Sequence, residues 1–134
     1  MKQHSPDTIQ LITEWLTQQS TIQLAILFGS FAKGSPTKNS DIDLAIELDS
    51  PLTTDKKLSI LQSLGEITDR KIDLIDLKTV GEPLLSQVIK HAKILKDNKS
   101  KFIDLSIKNV YMMEDFTPYI QRTIKQRQRR LLNE

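Results

Sequence analysis

Hydrophobic residues recur every three to four positions in several parts of the chain, which is the period of an amphipathic helix. The first such stretch follows Ser5-Pro6, a capping residue with proline at the first helical position, and predicts a helix from about Pro6 to Gln18. The same period predicts helices over residues 54–68, where Leu58, Leu61 and Leu64 form the apolar side, over residues 84–92, and from residue 100 onward with an interruption at Thr117-Pro118.

Other segments have the pattern of strands. Residues 22–28 are an apolar run that stops at Gly29, as expected of a buried strand, and a strand-to-helix elbow is predicted over residues 29–34. The sequences DIDLAIEL (41–48) and KIDLIDL (71–77) alternate with a period of two, and residues 93–96 are a candidate for a fourth strand. Elements in this order predict an α/β or α+β fold, in which helices flank a small mixed β-sheet.

The composition narrows the possible functions. A chain of 134 residues with 38% hydrophobic residues is expected to form one domain over residues 1–134. It has no cysteine and only two histidines, far apart in the sequence, so disulfides, cysteine nucleophiles and histidine-rich metal sites are not expected. Its net charge of +2 is not that of a protein that coats nucleic acid. No apolar run has the length of a membrane span or the form of a signal peptide, so we expect a cytoplasmic protein without membrane contact.

Three acidic residues form the candidate catalytic and metal site. Asp41 and Asp43 lie two positions apart on a predicted strand, so their side chains share a face while Ile42 points to the core. Adjacent carboxylates repel each other unless a cation compensates them, and Mg²⁺ prefers such oxygen ligands together with phosphate oxygens. Asp73, on the next strand, is the predicted third acid of a site for nucleotidyl transfer. Asp76 points to the opposite face and is the second choice.

A phosphate-binding element is predicted just before the two acids. Gly29 lets the backbone approach a phosphate closely, and helix N–H groups and the Ser30 hydroxyl can donate to it. Lys33 lies one turn further and offers a positive charge. Ser40 is interpreted as a loop-capping residue, with substrate contact as the alternative.

The spacing of these residues resembles a known signature. Gly29-Ser30, ten intervening residues and then Asp41-Ile42-Asp43 reproduce the GSx10DxD pattern of the polymerase-β-like nucleotidyltransferases. Within GSFAKGSPTKNSDIDLAIEL, and in the later segments KIDLIDL and EPLLSQVIKHAKILKD, the chain looks most similar to the minimal nucleotidyltransferase (MNT) group. Lys33 stands where many members carry arginine, which keeps the charge but loses the planar fork.

The resemblance implies a fold and an activity. It implies a polymerase-β-like nucleotidyltransferase fold with C-terminal helices, Mg²⁺ held by Asp41, Asp43 and Asp73, and ATP phosphates on Gly29-Ser30. Proteins of the MntA type in this group are antitoxins that transfer AMP from ATP to a tyrosine of a HEPN-domain ribonuclease toxin, so a hetero-oligomer with such a toxin is expected. The alternatives are an antitoxin that acts by binding alone, and a nucleotidyltransferase for a small molecule or RNA.

The C-terminal region, from about residue 100 to 134, is the predicted partner-docking segment. It ends in a basic run with apolar residues at roughly helical spacing, formed by Arg122, Lys125, Arg127, Arg129 and Arg130 together with Ile120, Ile124 and Leu131. A solvated helix face is the ordinary interpretation of such a run, and docking of a partner is the leading functional one. Direct nucleic-acid binding is not expected, because only Tyr119 offers a nearby aromatic ring for stacking.

Overall fold

The protein consists of helices and strands that alternate along the chain. The structure, a computed structural model, describes residues 5–34, 36 and 40–116. Its elements are α1 (Ser5–Thr17), β1 (Ile22–Phe28), α2 (Gly29–Ala32), β2 (Ile42–Leu48), α3 (Thr54–Thr68), β3 (Ile72–Asp76), α4 (Leu84–Lys90), β4 (Lys93–Asp97) and α5 (Lys101–Phe116). The sequence predicted this order of elements, including the fourth strand.

The described strands form one mixed sheet in the order β3-β2-β1-β4. Strand β1 pairs with β2 and β4 in antiparallel orientation, whereas β2 and β3 are parallel. A parallel pair needs a crossover, and α3 supplies it between β2 and β3. The α/β (α+β) fold with a small mixed sheet is therefore confirmed.

Helices cover the sheet on both faces, which gives two apolar cores. On one face α1 and α3 pack against strand residues that alternate along β2 and β3, including Ile42, Leu44, Ile72 and Leu74. On the other face α4 and α5 pack against Phe28, Ala45 and the interior positions of β1. Burial on both sides explains why β1 is apolar at every position except Gln23, rather than alternating.

Helix α3 has well-defined ends that set the path of the chain into β3. The Thr53 side chain accepts a hydrogen bond of 3.2 Å from the Lys56 backbone N–H, which caps the first turn. At the other end Asp69 adopts the left-handed conformation (φ 54°), and its N–H donates to the Gly65 carbonyl. One sequence prediction for this helix is wrong: Leu58 is 59% exposed, because the buried stripe is centred on Ile60, Leu61 and Leu64.

Other element ends differ from the prediction by one or two residues. Helix α1 begins at Ser5 rather than Pro6, β2 begins at Ile42 rather than Asp41, and α4 ends at Lys90, with the exposed His91 at its C-cap. In the part of the chain that the structure describes, no helix is long and apolar enough to cross a bilayer. The predicted break at Thr117-Pro118 and the basic run from Arg122 to Arg130 lie outside the described residues.

Candidate active site

Two of the predicted acids meet where β2 and β3 begin. Asp43 and Asp73 are Cα partners in the parallel ladder, so their side chains leave the sheet on the same face and at the same level. The two carboxyl groups are joined by a side-chain hydrogen bond. Asp43 also faces Phe28, the last residue of β1, across the antiparallel ladder. The register of three strands thus places a carboxyl pair directly beside the end of β1.

The carboxyl pair is electrostatically strained. Burial raises the pKa of Asp43 above its ordinary value of 3.8, and the neighbouring carboxyl of Asp73 and then that of Asp41 raise this pKa further. The hydrogen bond from Asp73 acts in the same direction. A site that makes a carboxylate hard to ionise is a site where an external positive charge would be favourable.

Gly29 lies against the Asp43 carboxyl group. Its φ of +75° belongs to the left-handed region that glycine tolerates best. A Cβ atom at this position would lie 2.1 Å from Oδ2 and 3.1 Å from Cγ of Asp43. The absence of a side chain at position 29 therefore leaves room for the carboxyl group, and the turn at the end of β1 brings the backbone of α2 next to it.

The other predicted site residues differ in how far their side chains are exposed. Ser30 is half-buried in the first turn of α2, and Ser40 is half-buried just before β2. Lys33 is exposed at the C-cap of α2, where its N–H donates to the Gly29 carbonyl. Asp41 points outward: its side chain is 48% exposed and its Oδ2 lies 4.0 Å from Nζ of Lys71. The structure thus brings Gly29, Asp43 and Asp73 into contact and leaves Asp41 at the rim.

Asp76 belongs to a different environment from Asp73. By the alternation of β3 it lies on the face of Ile72 and Leu74, which α1 and α3 cover. Its carboxylate accepts a hydrogen bond of 3.0 Å from the Lys78 backbone N–H in the turn after the strand. Asp76 thus lies on the face opposite to Asp73, as the alternation of the sequence predicted, and the assignment of Asp73 as the third acid stays a prediction.

The donor set suits a hard divalent cation. Among the described residues, no three acidic, histidine or cysteine side chains are gathered closely enough to enclose a metal ion. The carboxyl oxygens of Asp43 and Asp73 are nevertheless adjacent, and Asp41 is close enough to raise the pKa of Asp43. Oxygen-only ligands with uncompensated negative charge fit Mg²⁺, which commonly completes its shell with water and substrate phosphates.

Sequence reasoning missed two basic residues at the site. Arg70 donates from Nη1 to the Ser40 carbonyl at 3.1 Å, and its guanidinium lies 4.9 Å from the centroid of the Phe31 ring. Lys71 is the partner of Asp41. A basic residue just after a helix is ordinarily interpreted as a favourable partner of the helix dipole, so nothing in the local pattern pointed to a contact with α2 or with the segment before β2.

Comparison with known proteins places the chain in a family. Residues 10–101 match the family described as Polymerase beta, Nucleotidyltransferase, to which the chain therefore belongs. This class agrees with the fold and with the glycine elbow beside two strand carboxylates.

The chain is also similar to particular proteins of known sequence or structure. The chain is 30% identical over 93 residues to the protein adenylyltransferase MntA of Shewanella oneidensis, covering 69% of this chain and 67% of that protein. Its structure is similar to a chain of a toxin–antitoxin pair crystallised with AMP-PNP (TM-score 0.71, 26% identity, 92% of this chain and 98% of that one). It also has the fold of a chain from the complex of tri-AMPylated Shewanella oneidensis HEPN toxin with MNT antitoxin (TM-score 0.70, 23% identity, 92% and 98% covered).

Proposed function

We propose that this protein is an antitoxin that acts as a Mg²⁺-dependent protein adenylyltransferase. It moves AMP from ATP to a tyrosine of a partner HEPN ribonuclease toxin and so neutralises it. The observation that carries the proposal is the contact of the Asp43–Asp73 pair with the Gly29 elbow. The similarity to MntA, a protein adenylyltransferase, supports the same reaction.

The transfer can be written with the residues at the site. The tyrosine oxygen forms a bond to the α-phosphorus of ATP, the bond from that phosphorus to the bridging oxygen of the β-phosphate breaks, and pyrophosphate leaves. Asp73 accepts the proton of the tyrosine hydroxyl. The N–H groups of α2 and the Ser30 hydroxyl hold phosphate oxygens. Lys33, exposed on the same short helix, contributes positive charge near them.

Asp41, Asp43 and Asp73 are the residues that would hold Mg²⁺. When bound, the ion neutralises charge on the carboxylates and on the phosphate oxygens. To hold the cation, Asp41 would give up its contact with Lys71, and the exposure of both side chains makes that ion pair weak. Because ATP is an intracellular substrate, we propose that the antitoxin and its toxin act in the cytoplasm.

A row of exposed apolar side chains on α5 suits the docking of the toxin. Ile103, Ile107, Val110 and Tyr111 follow helical spacing and are each more than half exposed. The opposite side of α5 packs on the sheet face that carries Asp43 and Asp73, through residues such as Leu105. A protein held on the outer side of α5 therefore lies on the same side of the sheet as the site, which is the arrangement that a protein acceptor requires. We therefore propose α5, and the segment beyond it to residue 134, as the docking region.

Replacing Ile107 by glutamate tests this docking region. A charge in the centre of the apolar row should prevent desolvation of the interface, and we expect weaker binding of the toxin, by roughly 10-fold or more. Affinity for Mg-AMP-PNP should be unchanged, because the substitution is on the far side of α5. The matched control is Leu58→Glu, an equally exposed apolar residue on α3 at the opposite face. If both variants bind the toxin equally well, the proposed docking region is wrong.

Label transfer to a co-expressed HEPN toxin tests the proposed reaction. With Mg²⁺ present, label from α-phosphate-labelled ATP should appear on the toxin, whereas label from γ-phosphate-labelled ATP should not. The second nucleotide distinguishes AMP transfer from phosphorylation, since only the former retains the α-phosphate. A toxin that is inhibited without acquiring label would show neutralisation by binding alone. Label on RNA or on a small molecule would indicate a different acceptor class.

A further inference from the structure

Arg70 connects two segments of the site that are far apart in sequence. Its Nη1 donates to the carbonyl of Ser40, thirty residues earlier and just before β2, at 3.1 Å. The same guanidinium lies over the ring of Phe31, a buried residue of α2. One planar cation therefore contacts both the elbow that begins at Gly29 and the approach to Asp41 and Asp43.

The local structure around Arg70 fixes its direction. Helix α3 ends at Thr68, the left-handed Asp69 turns the chain, and the Arg70 N–H donates to the Thr68 hydroxyl at 3.3 Å. The next residue, Lys71, accepts a 2.9 Å hydrogen bond from the N–H of Ile42, where the parallel β2–β3 ladder begins. The backbone on either side of Arg70 is therefore held by α3 and by β2, and its side chain reaches back to α2.

The contacts of Arg70 add polar and cation–π interactions to α2, which is also held by the burial of Phe31 in the core on the α1 and α3 face. This helix has only four residues, and its N-cap residue, Phe28, makes no side-chain capping hydrogen bond. A guanidinium can stack on a ring and donate in its own plane at the same time, which an ammonium group cannot do. The cation thus joins α2 to the segment just before β2, the strand that carries Asp43.

We propose that Arg70 is a positioning residue, which holds the Gly29–Ser30 turn and the Asp41–Asp43 segment in the arrangement that binds Mg-ATP. This inference rests on the proposed function, and it adds to the predicted site a residue that acts through α2 and the segment before β2. Removing the side chain should let α2 move relative to β2.

The test compares Arg70→Met with a matched control, Lys96→Met. Lys96 is also half-buried and also donates to distant backbone carbonyls, those of Leu16 (3.1 Å) and Gln19 (2.6 Å), but it does so at the end of α1. Both substitutions remove a basic group that joins two segments, so both should lower the midpoint of thermal unfolding. Only Arg70→Met should weaken the binding of AMP-PNP with Mg²⁺, by roughly tenfold in titration calorimetry.

Amide hydrogen exchange gives a readout that does not depend on nucleotide. Exchange at residues 29–33 should be faster in Arg70→Met than in the wild type and unchanged in Lys96→Met. Arg70→Lys, which keeps the charge and a donor but not the planar stack on Phe31, should lie between Arg70→Met and the wild type in both measurements.

Two results would overturn the inference. One is wild-type affinity and wild-type exchange at residues 29–33 in Arg70→Met. The other is an equal loss of affinity in Lys96→Met, which would show a general effect of lower stability. A wild-type protein that binds no Mg-AMP-PNP would contradict the proposed function and the nucleotide part of the inference together, whereas the exchange measurement would still decide whether Arg70 holds α2.

Discussion

Replacement of Asp43 by asparagine is expected to lower AMP transfer by roughly 10³-fold, an effect matched only by that of Asp73→Asn among the substitutions proposed for this protein. A metal-bound carboxylate contributes several kcal/mol of charge stabilisation in the transition state, and about 1.4 kcal/mol corresponds to a factor of ten in rate. Asparagine keeps the size of the side chain but cannot supply the negative charge. The initial rate of label transfer from α-phosphate-labelled ATP to the toxin, at saturating Mg²⁺, measures the loss.

Two further substitutions show whether the loss is specific to the carboxyl pair. Asp73→Asn should have an effect of similar size, because Asp73 is the hydrogen-bonded partner of Asp43. Asp76→Asn, on the same strand but on the opposite face, should retain most of the activity, since its carboxylate only accepts a hydrogen bond from the Lys78 N–H. Inactivity of Asp76→Asn together with activity of Asp73→Asn would reverse the assignment of the third acid.

Stability measurements on Asp43→Asn distinguish a loss of catalytic activity from a loss of folded protein. The raised pKa means that the folded state holds the Asp43 proton more tightly than the unfolded chain does, so ionisation destabilises the fold. This destabilisation begins as the pH rises above the ordinary value of 3.8 and is complete above the raised pKa. At neutral pH without divalent cations, Asp43→Asn should therefore resist urea better than the wild type, and the advantage should disappear near pH 3. A less stable variant at neutral pH would contradict this account of the site.

The strand and the face on which each acid lies could be predicted from the sequence, because both depend on short-range patterns. The period of two in DIDLAIEL and KIDLIDL sets which face each acid occupies, and this is enough to separate Asp73 from Asp76. The direct contact of Asp43 with Asp73 required the additional fact that β2 and β3 are parallel and in register. The assignment of Asp41, Asp43 and Asp73 as ligands, and of Gly29, Ser30, Lys33 and Ser40 to the nucleotide, remains a prediction that the proposed variants test.

Features that depend on contacts between distant segments could not be predicted from those patterns. The interaction of Arg70 with Ser40 spans thirty residues, and the contact of Asp41 with Lys71 likewise joins the starts of β2 and β3. Leu58 illustrates a different limit: a helix with apolar residues on more than one side can be rotated in several ways against a sheet. The packing of α3 against the sheet decides that rotation, and it places Ile60 rather than Leu58 against the core.

Replacement of Gly29 by alanine is the second substitution for which we expect a large effect. The new methyl group would occupy the position of the Asp43 carboxyl, 2.1 Å from Oδ2 and 3.1 Å from Cγ. Because a carboxyl group can rotate away, the clash should be relieved mainly by displacing Asp43 from the elbow and from Asp73. A displacement of about 1 Å at a reacting site can cost roughly 10²-fold in rate, and we expect a loss of that size in label transfer.

Gly34→Ala is the control that isolates the clash from the backbone effect. Gly34 has nearly the same conformation, with φ +76° against +75° for Gly29, but a Cβ atom there meets nothing within 4 Å. Alanine at either position should lower the free energy of unfolding by about 1–2 kcal/mol, because the left-handed conformation is unfavourable for a residue with a side chain. Urea unfolding should therefore give similar free energies for the two variants, while only Gly29→Ala loses transfer. Equal losses of activity would show that the elbow is needed for its backbone conformation alone, and that its contact with Asp43 has no part in the reaction.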